Sequence, residues 1–233
     1  MAFFLKKQWK SEQAVADSYN AIAGSFEATR RCFWPEFSLL GEYIKDNDKI
    51  LDLACGSGRL VDYLDSQNLS VDYYGLDSSE GLLATAKNNH GPLADKFTLG
   101  SMTILPYADN YFDLITCFAG FHHLATKKER LQSLTEMKRV LKPNGKIVMT
   151  NWYLWTYKFL PNFLRAIFTF TFFKDLLIAW KGEKDKLIWR YYHAFTTHEL
   201  DRLFTTVGFE AKTTIFFNKK GSKRNLLTIA SKV

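Results

Sequence analysis

The stretch Ile50-Leu51-Asp52-Leu53-Ala54-Cys55-Gly56-Ser57-Gly58-Arg59-Leu60 combines a short apolar run, an acid, two glycines and the start of an amphipathic segment. This order predicts a strand, a tight turn and a helix. Gly56 and Gly58 have no Cβ, so the backbone can turn sharply there and approach a ligand closely. The unpaired N–H groups at the start of the helix then face that ligand. We therefore expect a ligand site at this turn.

A second acid strengthens this interpretation. Asp77 ends the apolar segment Val71–Asp77 about 20 residues after the glycines, the spacing at which an acid on a second strand binds the hydroxyls of an adenosine ribose. An isolated Asp at a strand end otherwise caps a helix. Dinucleotide-binding folds use a third glycine to pack the helix tightly, whereas Arg59-Leu60-Val61 follows Gly58 here. The pattern therefore disfavours a nicotinamide or flavin dinucleotide.

The alternation of strands and helices predicts the fold class. We expect an α/β protein with a Rossmann-like, doubly wound sheet of seven strands, mainly parallel, with an antiparallel C-terminal hairpin and a helical insertion after strand five. Ligands of such sheets bind at the carboxyl ends of the strands. The chain is predicted to be one domain, 1–233, with N-terminal helices (11–46), a core (49–152), an aromatic helical insertion or lid (153–195), and a C-terminal helix and hairpin (196–233).

Composition limits the class of protein. The chain has 233 residues, of which 47% are hydrophobic and 24% charged, values typical of a globular domain. A formal net charge of +7 is suited to nucleic acid or a membrane surface, although it equally serves solubility. Three widely spaced cysteines without a CxxC pair predict neither a disulfide framework nor a metal site. We expect a cytoplasmic protein.

Residues 153–185 form an aromatic-rich segment after the fifth predicted strand. Charged residues and a proline interrupt it, so no apolar run reaches the roughly 20 residues that a transmembrane helix needs. The segment is suited instead to a lid over the site, a partner-binding face, or an interfacial membrane helix between residues 155 and 180.

Several motifs occur in an order that resembles a known family. They are Leu51-Asp52-Leu53-Ala54-Cys55-Gly56-Ser57-Gly58, Gly75-Leu76-Asp77, Leu105-Pro106-Tyr107, Phe112-Asp113-Leu114-Ile115, His122-His123-Leu124 and Val140-Leu141-Lys142-Pro143-Asn144-Gly145. The set resembles the class I S-adenosylmethionine-dependent methyltransferases of the methyltransferase type 11 group. The resemblance implies a methyltransferase with S-adenosylmethionine as its cofactor.

The family pattern also implies which residues bind the cofactor. Gly56 and Gly58 would cradle its amino-acid part, Asp77 would bind its ribose, and Met102 would contact its adenine. Ser101 stands where many relatives have an Asp, so its adenine contact would carry no charge. The full predicted set is Asp52, Ala54, Gly56, Gly58, Asp77, Ser78, Ser101, Met102 and Cys117.

A closer resemblance, to the tRNA wobble-uridine carboxymethyl methyltransferases, extends over two flanking regions. These contain Tyr19-Asn20-Ala21-Ile22-Ala23, Ser25-Phe26, Thr29-Arg30, Trp34-Pro35, Arg190-Tyr191-Tyr192-His193-Ala194-Phe195 and Glu199-Leu200. Enzymes of that family esterify the carboxylate of 5-carboxymethyluridine, and the eukaryotic ones act with a small zinc-binding activator subunit. The resemblance therefore implies tRNA as the substrate and such a subunit as a partner.

The implied reaction needs no strong base, because a carboxylate with a pKa of about 4 is already ionised at neutral pH and can attack the sulfonium methyl directly. Both charges vanish during transfer, so a bidentate arginine would stabilise the ground state more than the transition state. Arg30 or Arg190 is therefore expected to hold a phosphate or one carboxylate oxygen only. The predicted catalytic residues are Arg30, His122, Asn151, Arg190 and His193, and the predicted acceptor-binding residues are Arg31, Trp34, Trp152 and Tyr192.

Two other classes stay open. A methyltransferase for a small-molecule or lipid-like acceptor would use the aromatic insertion as an apolar lid, and a cofactor-binding scaffold would act without an acceptor site. In the tRNA enzyme, Lys219, Lys220, Lys223 and Arg224 would follow phosphates, and binding would weaken steeply with salt.

Overall fold

The computed structural model describes residues 11–28, 33–168, 173–181, 187–217 and 224–233. Its helices are α1 (Glu12–Asn20), α2 (Ala23–Ala28), α3 (Arg59–Ser66), α4 (Glu80–Asn89), α5 (Lys127–Val140), α6 (Leu160–Phe168) and α7 (Thr197–Val207). Its strands are β1 (Lys49–Leu53), β2 (Asp72–Asp77), β3 (Phe97–Leu99), β4 (Phe112–Phe118), β5 (Leu141–Trp152), β6 (Asp175–Lys181), β7 (Leu187–His193), β8 (Phe209–Phe217) and β9 (Arg224–Lys232). Short 3₁₀ helices cover Pro35–Glu42, Gly91–Lys96, Phe121–His123 and Tyr157–Phe159, the first of which stands where the sequence predicts the second N-terminal helix. Within the described ranges, no helix is both long and apolar enough to span a bilayer.

Seven strands form one sheet in the order β3-β2-β1-β4-β5-β9-β8. The strands from β1 to β5 are parallel where they pair, and β9 is antiparallel to both β5 and β8. The predicted Rossmann-like α/β sheet with an antiparallel C-terminal hairpin is therefore confirmed. This order also places the carboxyl ends of β2, β1, β4 and β5 side by side.

The two faces of the sheet carry separate hydrophobic clusters, which reflects the alternation of side chains along each strand. On β1, Leu51 and Leu53 belong to the cluster shared with α5 and α7, whereas Ile50 belongs to the cluster shared with α3 and α4. All three side chains are fully buried. Burying an aliphatic side chain of this size contributes about 1.5–3 kcal/mol, so β1 is anchored from both faces.

The N-terminal region differs from its predicted form. The spacing of apolar residues predicts one helix from Glu12 toward Phe26, but the structure divides it into α1 and α2 after Asn20. The side-chain oxygen of Asn20 accepts hydrogen bonds from the hydroxyl of Ser79 and the N–H of Gly81. A contact with the start of α4, which sequence periodicity does not reveal, therefore lies at the end of α1.

The insertion after β5 is helical only in part. Residues 160–168 form α6, but β6 and β7 pair as an antiparallel hairpin in a separate two-stranded sheet. Leu176 and Ile178 alternate on the side of β6 that joins the cluster containing Phe163 of α6, which is the period of two expected of a strand. This finding corrects the prediction of a helical insertion for residues 175–193.

The hairpin packs against the N-terminal helices. The indole N–H of Trp180 donates to the hydroxyl of Ser25 at 3.2 Å, and the Trp180 ring lies 5.5 Å from the ring of Phe26. On its other side, the guanidinium of Arg165 lies 4.1 Å from the ring of Trp189. Two segments remote in sequence therefore meet near one end of the sheet.

Candidate active site

The turn after β1 adopts the conformation that its glycines predict. Gly56 and Gly58 have φ angles of 57° and 85°, in the left-handed region that favours glycine. Gly58 immediately precedes α3, and a Cβ at this position would lie 2.7 Å from Cδ2 of His90. Glycine is therefore required at position 58 by both the turn and its packing.

The carboxylate of Asp77 fixes this turn to the tip of β2. Its two oxygens accept hydrogen bonds from the N–H groups of Gly56 and Ser79, each at 2.8 Å. The side chain is buried, and burial raises the pKa of Asp77 while these bonds oppose the rise. Asp77 thus has a structural role in shaping the turn, and its contact with a ribose stays a prediction.

Asp52 is a second buried acid at the same edge of the sheet. Its carboxylate accepts hydrogen bonds from the hydroxyls of Tyr73 at 3.1 Å and Thr116 at 2.8 Å. Burial outweighs these bonds and raises the pKa of Asp52 to about 7. Unlike an exposed aspartate, the group is therefore partly protonated at neutral pH.

One cavity lies at the carboxyl ends of β1, β2, β4 and β5. Of the predicted site residues, its wall contains Trp34, Asp52, Ala54, Gly56, Asp77, Ser78, Met102, His122, Trp152 and Tyr192. Predicted cofactor-binding and acceptor-binding residues therefore meet in one space. The wall does not include Gly58, Ser101, Cys117, Asn151, Arg190 and His193. Arg30 and Arg31 lie outside the described residues, as do Lys219, Lys220 and Lys223.

Two predicted cofactor contacts bond with the protein itself. Cys117 is fully buried in a hydrophobic cluster, and burial raises the pKa of its thiol to about 12. The hydroxyl of Ser101 donates to a carboxylate oxygen of Glu12 at 2.7 Å and lies 2.6 Å from the hydroxyl of Thr103. Neither residue lies on the cavity wall, and the roles of Cys117 and Ser101 as cofactor contacts stay predictions.

An aromatic wall, formed by His122, Trp152 and Tyr192, closes one side of the cavity. The Tyr192 ring stacks on His122 at 4.9 Å and on Trp152 at 5.0 Å. Nδ1 of His122 accepts a hydrogen bond from the N–H of Trp152, so the ring proton is on Nε2, which has no hydrogen-bond partner among the described residues. Burial lowers the pKa of His122, so the neutral ring can donate one hydrogen bond to a ligand. Asn151 is fully buried and off the cavity wall.

His193 lies in an ion-pair cluster away from the cavity. Its Nδ1 and Nε2 each lie 2.9 Å from a carboxylate oxygen, of Asp175 and Glu199 respectively. Burial disfavours the ionised form of Glu199, but bonds from His193 and Lys174 outweigh it and lower the pKa of Glu199 to about 2. The cluster joins the hairpin to α7, which gives His193 a structural role, and its predicted catalytic role stays a prediction.

Arg190 is a cation buried next to the aromatic wall. Only 2% of it is exposed, and its guanidinium lies 4.9 Å from the ring of Trp180 and 5.3 Å from the ring of Tyr192. Its Nη1 donates to the hydroxyl of Tyr19 at 3.3 Å, and no carboxylate of the described residues forms an ion pair with it. Aromatic faces compensate only part of the cost of burying a charge. An anion bound in the adjacent cavity would supply the opposite charge that the guanidinium of Arg190 lacks.

Sequence reasoning missed several residues of the cavity wall. They include Val15, Tyr19, Phe26, Arg59 and Phe118. Val15, Tyr19 and Phe26 follow helical spacing, but a helix that covers a ligand and a helix that covers a core have the same apolar pattern. Arg59 lies 5.1 Å over the ring of Trp34, a contact between two residues that belong to different motifs.

A larger open cleft, of about 660 Å³, is lined by Lys138, Arg139 and Lys232 near the amino end of β4. The two lysines donate to the backbone carbonyls of Val207 and Leu141. The two lysines therefore stabilise the carboxyl ends of α7 and α5. None of the predicted site residues that the structure describes lines this cleft.

Comparison with known proteins agrees with the geometry. The sequence model of the methyltransferase domain family matches residues 51–149. A protein of Encephalitozoon cuniculi whose name places it among the methyltransferases is 32% identical over 202 residues, covering 85% of this chain and 88% of that protein. The tRNA (carboxymethyluridine(34)-5-O)-methyltransferase of Arabidopsis thaliana is 30% identical, covering 58% of this chain and 31% of that protein. A demethylmenaquinone methyltransferase of Symbiobacterium thermophilum is also 30% identical, covering 60% and 59%. The chain thus spans less than two thirds of the latter two relatives.

Solved structures confirm the fold. A SAM-dependent methyltransferase of Methanosarcina mazei has a TM-score of 0.68 at 23% identity, covering 86% of this chain and 98% of that one. A Haloferax volcanii protein, solved in complex with the Trm112 methyltransferase activator, has a TM-score of 0.65 at 17% identity, covering 94% and 97%. Both likenesses concern the architecture.

Proposed function

Because this chain belongs to the class I S-adenosylmethionine-dependent methyltransferases, we propose that it methylates tRNA in the cytoplasm, esterifying the carboxylate of 5-carboxymethyluridine at the wobble position. The observation that supports this acceptor is Arg190, a buried cation without a carboxylate partner among the described residues, beside the aromatic wall. An acceptor that has both an aromatic base and an anionic group matches a site that has an aromatic wall and a buried cation.

The residues present fit the cofactor. The turn at Gly56 and Gly58 leaves a backbone surface without Cβ atoms, and Asp77 and Met102 lie on or beside the same cavity. S-adenosylmethionine supplies an electrophilic methyl group on a positively charged sulfur. Asp77 and Asp52 place two acids on the wall of this space, which suits a cationic ligand.

The protonation states at the aromatic wall also support a carboxylate acceptor. Burial lowers the pKa of His122 and lowers that of its neighbour His123 to about 3, so both are poor proton acceptors. A phenol or an amine would need a base to remove its proton, whereas a carboxylate is ionised already. The wall residues Trp34, Trp152 and Tyr192 offer aromatic surfaces on which an unstacked base can lie.

The proposal of a partner protein rests on the similarity of this chain to two methyltransferases. The Haloferax volcanii protein is bound to a methyltransferase activator, and the tRNA methyltransferase of Arabidopsis thaliana matches 134 residues of this chain. We propose that this chain also acts with a small zinc-binding activator subunit.

The test is to incubate the protein and methyl-labelled S-adenosylmethionine with tRNA that bears 5-carboxymethyluridine, with and without a candidate activator. The proposed ester releases its label as methanol in mild alkali, which methylated bases do not. Labelled RNA that survives mild alkali would indicate another acceptor on the tRNA. Absence of labelled RNA under both conditions would refute the tRNA acceptor.

A second acceptor class is favoured by one observation. On α6, Leu160, Leu164 and Ile167 expose 54%, 48% and 50% of their surfaces and form an apolar stripe. Such a stripe suits contact with a membrane interface or a lipid-like acceptor, and one relative acts on demethylmenaquinone. Methylation of quinol or phenolic acceptors, with none of tRNA, would favour this alternative.

A further inference from the structure

A chain of hydrogen bonds joins three elements beside the aromatic wall. Tyr19 of α1 lines the cavity, and its hydroxyl lies 2.9 Å from Nε2 of His123 and 3.3 Å from Nη1 of Arg190 on β7. Nδ1 of His123 lies 2.7 Å from the carbonyl oxygen of Tyr191. Because Tyr191 follows Arg190 in β7, the chain of bonds returns to the strand on which it begins.

The direction of each bond follows from the chemistry of its two ends. The carbonyl of Tyr191 only accepts, so Nδ1 of His123 carries the proton. Burial lowers the pKa of His123 to about 3, so its Nε2 is unprotonated at neutral pH and accepts. The hydroxyl of Tyr19 therefore donates to His123 and accepts from Arg190, whose guanidinium has only donors.

The directions of these hydrogen bonds determine how the positive charge of Arg190 acts on a ligand in the cavity. Tyr19 is on the cavity wall and Arg190 is not. The acceptor carboxylate loses its charge during methyl transfer, so a direct bidentate arginine would stabilise the ground state more than the transition state. A cation held one side chain away attracts the anion without binding both of its oxygens.

We propose that Tyr19 is a positioning residue through which Arg190 selects an anionic acceptor, and that His123 fixes the orientation of the Tyr19 hydroxyl. The inference rests on the proposed function, since it concerns the acceptor of that reaction. It assigns the preference for a carboxylate to the contact between α1 and the β6–β7 hairpin.

The test compares two ligands that differ by one methyl group and therefore in charge. They are an anticodon stem-loop RNA with 5-carboxymethyluridine at the wobble position and the same RNA as its neutral methyl ester. Binding of each is measured by calorimetry with S-adenosylhomocysteine present. Wild type should prefer the carboxylate, and Tyr19→Phe should lose about tenfold of this preference, because the variant lacks the hydroxyl that holds the charged guanidinium of Arg190 beside the cavity. The affinities of Tyr19→Phe for the ester and for S-adenosylhomocysteine should not change.

The control is Tyr157→Phe, whose side chain is 93% exposed and which should keep the wild-type preference. Should Tyr19→Phe fail to fold by circular dichroism, His123→Asn replaces it, because asparagine can still donate to Tyr191 but offers no ring nitrogen to Tyr19. The same tenfold loss is then expected.

Three results would overturn the proposal. A Tyr19→Phe protein with the full preference for the carboxylate would refute the positioning role, while methylation of RNA by wild type would leave the proposed function standing. Equal weakening of both ligands would indicate that Tyr19 serves packing only. A wild type that neither prefers the carboxylate nor methylates RNA would refute the proposed function itself.

Discussion

The two ends of the cavity are built in different ways. At the predicted cofactor end, the turn 54–58 and Asp77 belong to consecutive elements, and the cavity surface consists of backbone groups whose geometry is set locally. At the acceptor end, Tyr19, Trp152 and Arg190 come from α1, β5 and β7. The cofactor end therefore depends on backbone conformation, and the acceptor end depends on how remote segments pack.

The two ends also differ in charge. The cofactor end holds Asp52 and Asp77, acids whose pKa values are raised by burial. The acceptor end holds His122 and His123, whose pKa values are lowered by burial, and the cation Arg190. A cationic cofactor and an anionic acceptor would each meet groups of opposite polarity, which suits the proposed transfer of a methyl group to a carboxylate.

The largest expected effect tests the acid at the cofactor end. The pKa of Asp52 is about 7 in the folded protein and 3.8 as a model value, so the folded state keeps a proton that the unfolded chain loses. Stability from this group is fully present below about pH 4 and is lost as pH rises through 7, a change of about 4 kcal/mol. Urea denaturation should therefore show a smaller decrease between pH 4 and 7 for Asp52→Asn than for wild type. The exposed Asp65→Asn is the control, and equal pH dependence of all three proteins would contradict the raised pKa.

The second-largest effect is expected from a backbone change at the same end of the cavity. Gly58→Ala places a Cβ at a φ of 85° and within 2.7 Å of His90, so we expect a loss of about 2–4 kcal/mol in the free energy of unfolding. The affinity for S-adenosylhomocysteine should fall with it. Gly91→Ala is the matched control, because a Cβ there would meet nothing within 4 Å. Equal stability of the two variants would show that the turn tolerates a side chain.

The acceptor end should respond in activity rather than in stability. Arg190→Met removes a buried charge that has no carboxylate partner among the described residues, so the free energy of unfolding should not fall. We expect kcat/KM for the carboxylate acceptor to decrease about a hundredfold, or about 2.7 kcal/mol, with S-adenosylhomocysteine binding unchanged. The exposed Arg202→Met should behave as wild type. A loss of stability that matches the loss of activity would assign Arg190 to the fold instead.

The smallest effect concerns the contact between the two ends. Asn20→Ala removes the acceptor for the Ser79 hydroxyl at 2.7 Å and the Gly81 N–H at 3.0 Å. We expect a loss of about 1 kcal/mol in the free energy of unfolding, measured by urea denaturation. The exposed Asn88→Ala should show none. A similar loss in both would mean that the contact does not hold α1 against α4.

The difference between the two ends explains what could be predicted from sequence. The turn at Gly56 and Gly58 and the acid at Asp77 were predicted correctly in position because strand, glycine and acid follow one another over a short span. His193 was predicted to be catalytic within the segment 190–195 that carries the family resemblance, and only the fold brings Asp175 and Glu199 to it.

The hairpin and Tyr19 escaped prediction for a related reason. The aromatic residues of segment 153–195 suit a helix or a strand, and the pairing of β6 with β7 is decided by packing on α6. Tyr19 has the spacing of a core position on a helix, and its role depends on His123 and Arg190, more than 100 residues away. Contacts between remote segments leave no periodic signal in the chain.

The last two residues of α1 have a thermodynamic consequence. Tyr19 bonds to Arg190 beside the aromatic wall, and the next residue, Asn20, bonds to Ser79 beside Asp77. Because adjacent residues of α1 contact both ends, we expect that a ligand which displaces this helix at one end changes the free energy of binding at the other. By reciprocity, the factor by which the cofactor tightens acceptor binding equals the factor by which the acceptor tightens cofactor binding. Methyl transfer to a carboxylate would remove the charge from both ligands at once, so we expect both products to bind more weakly than the two substrates.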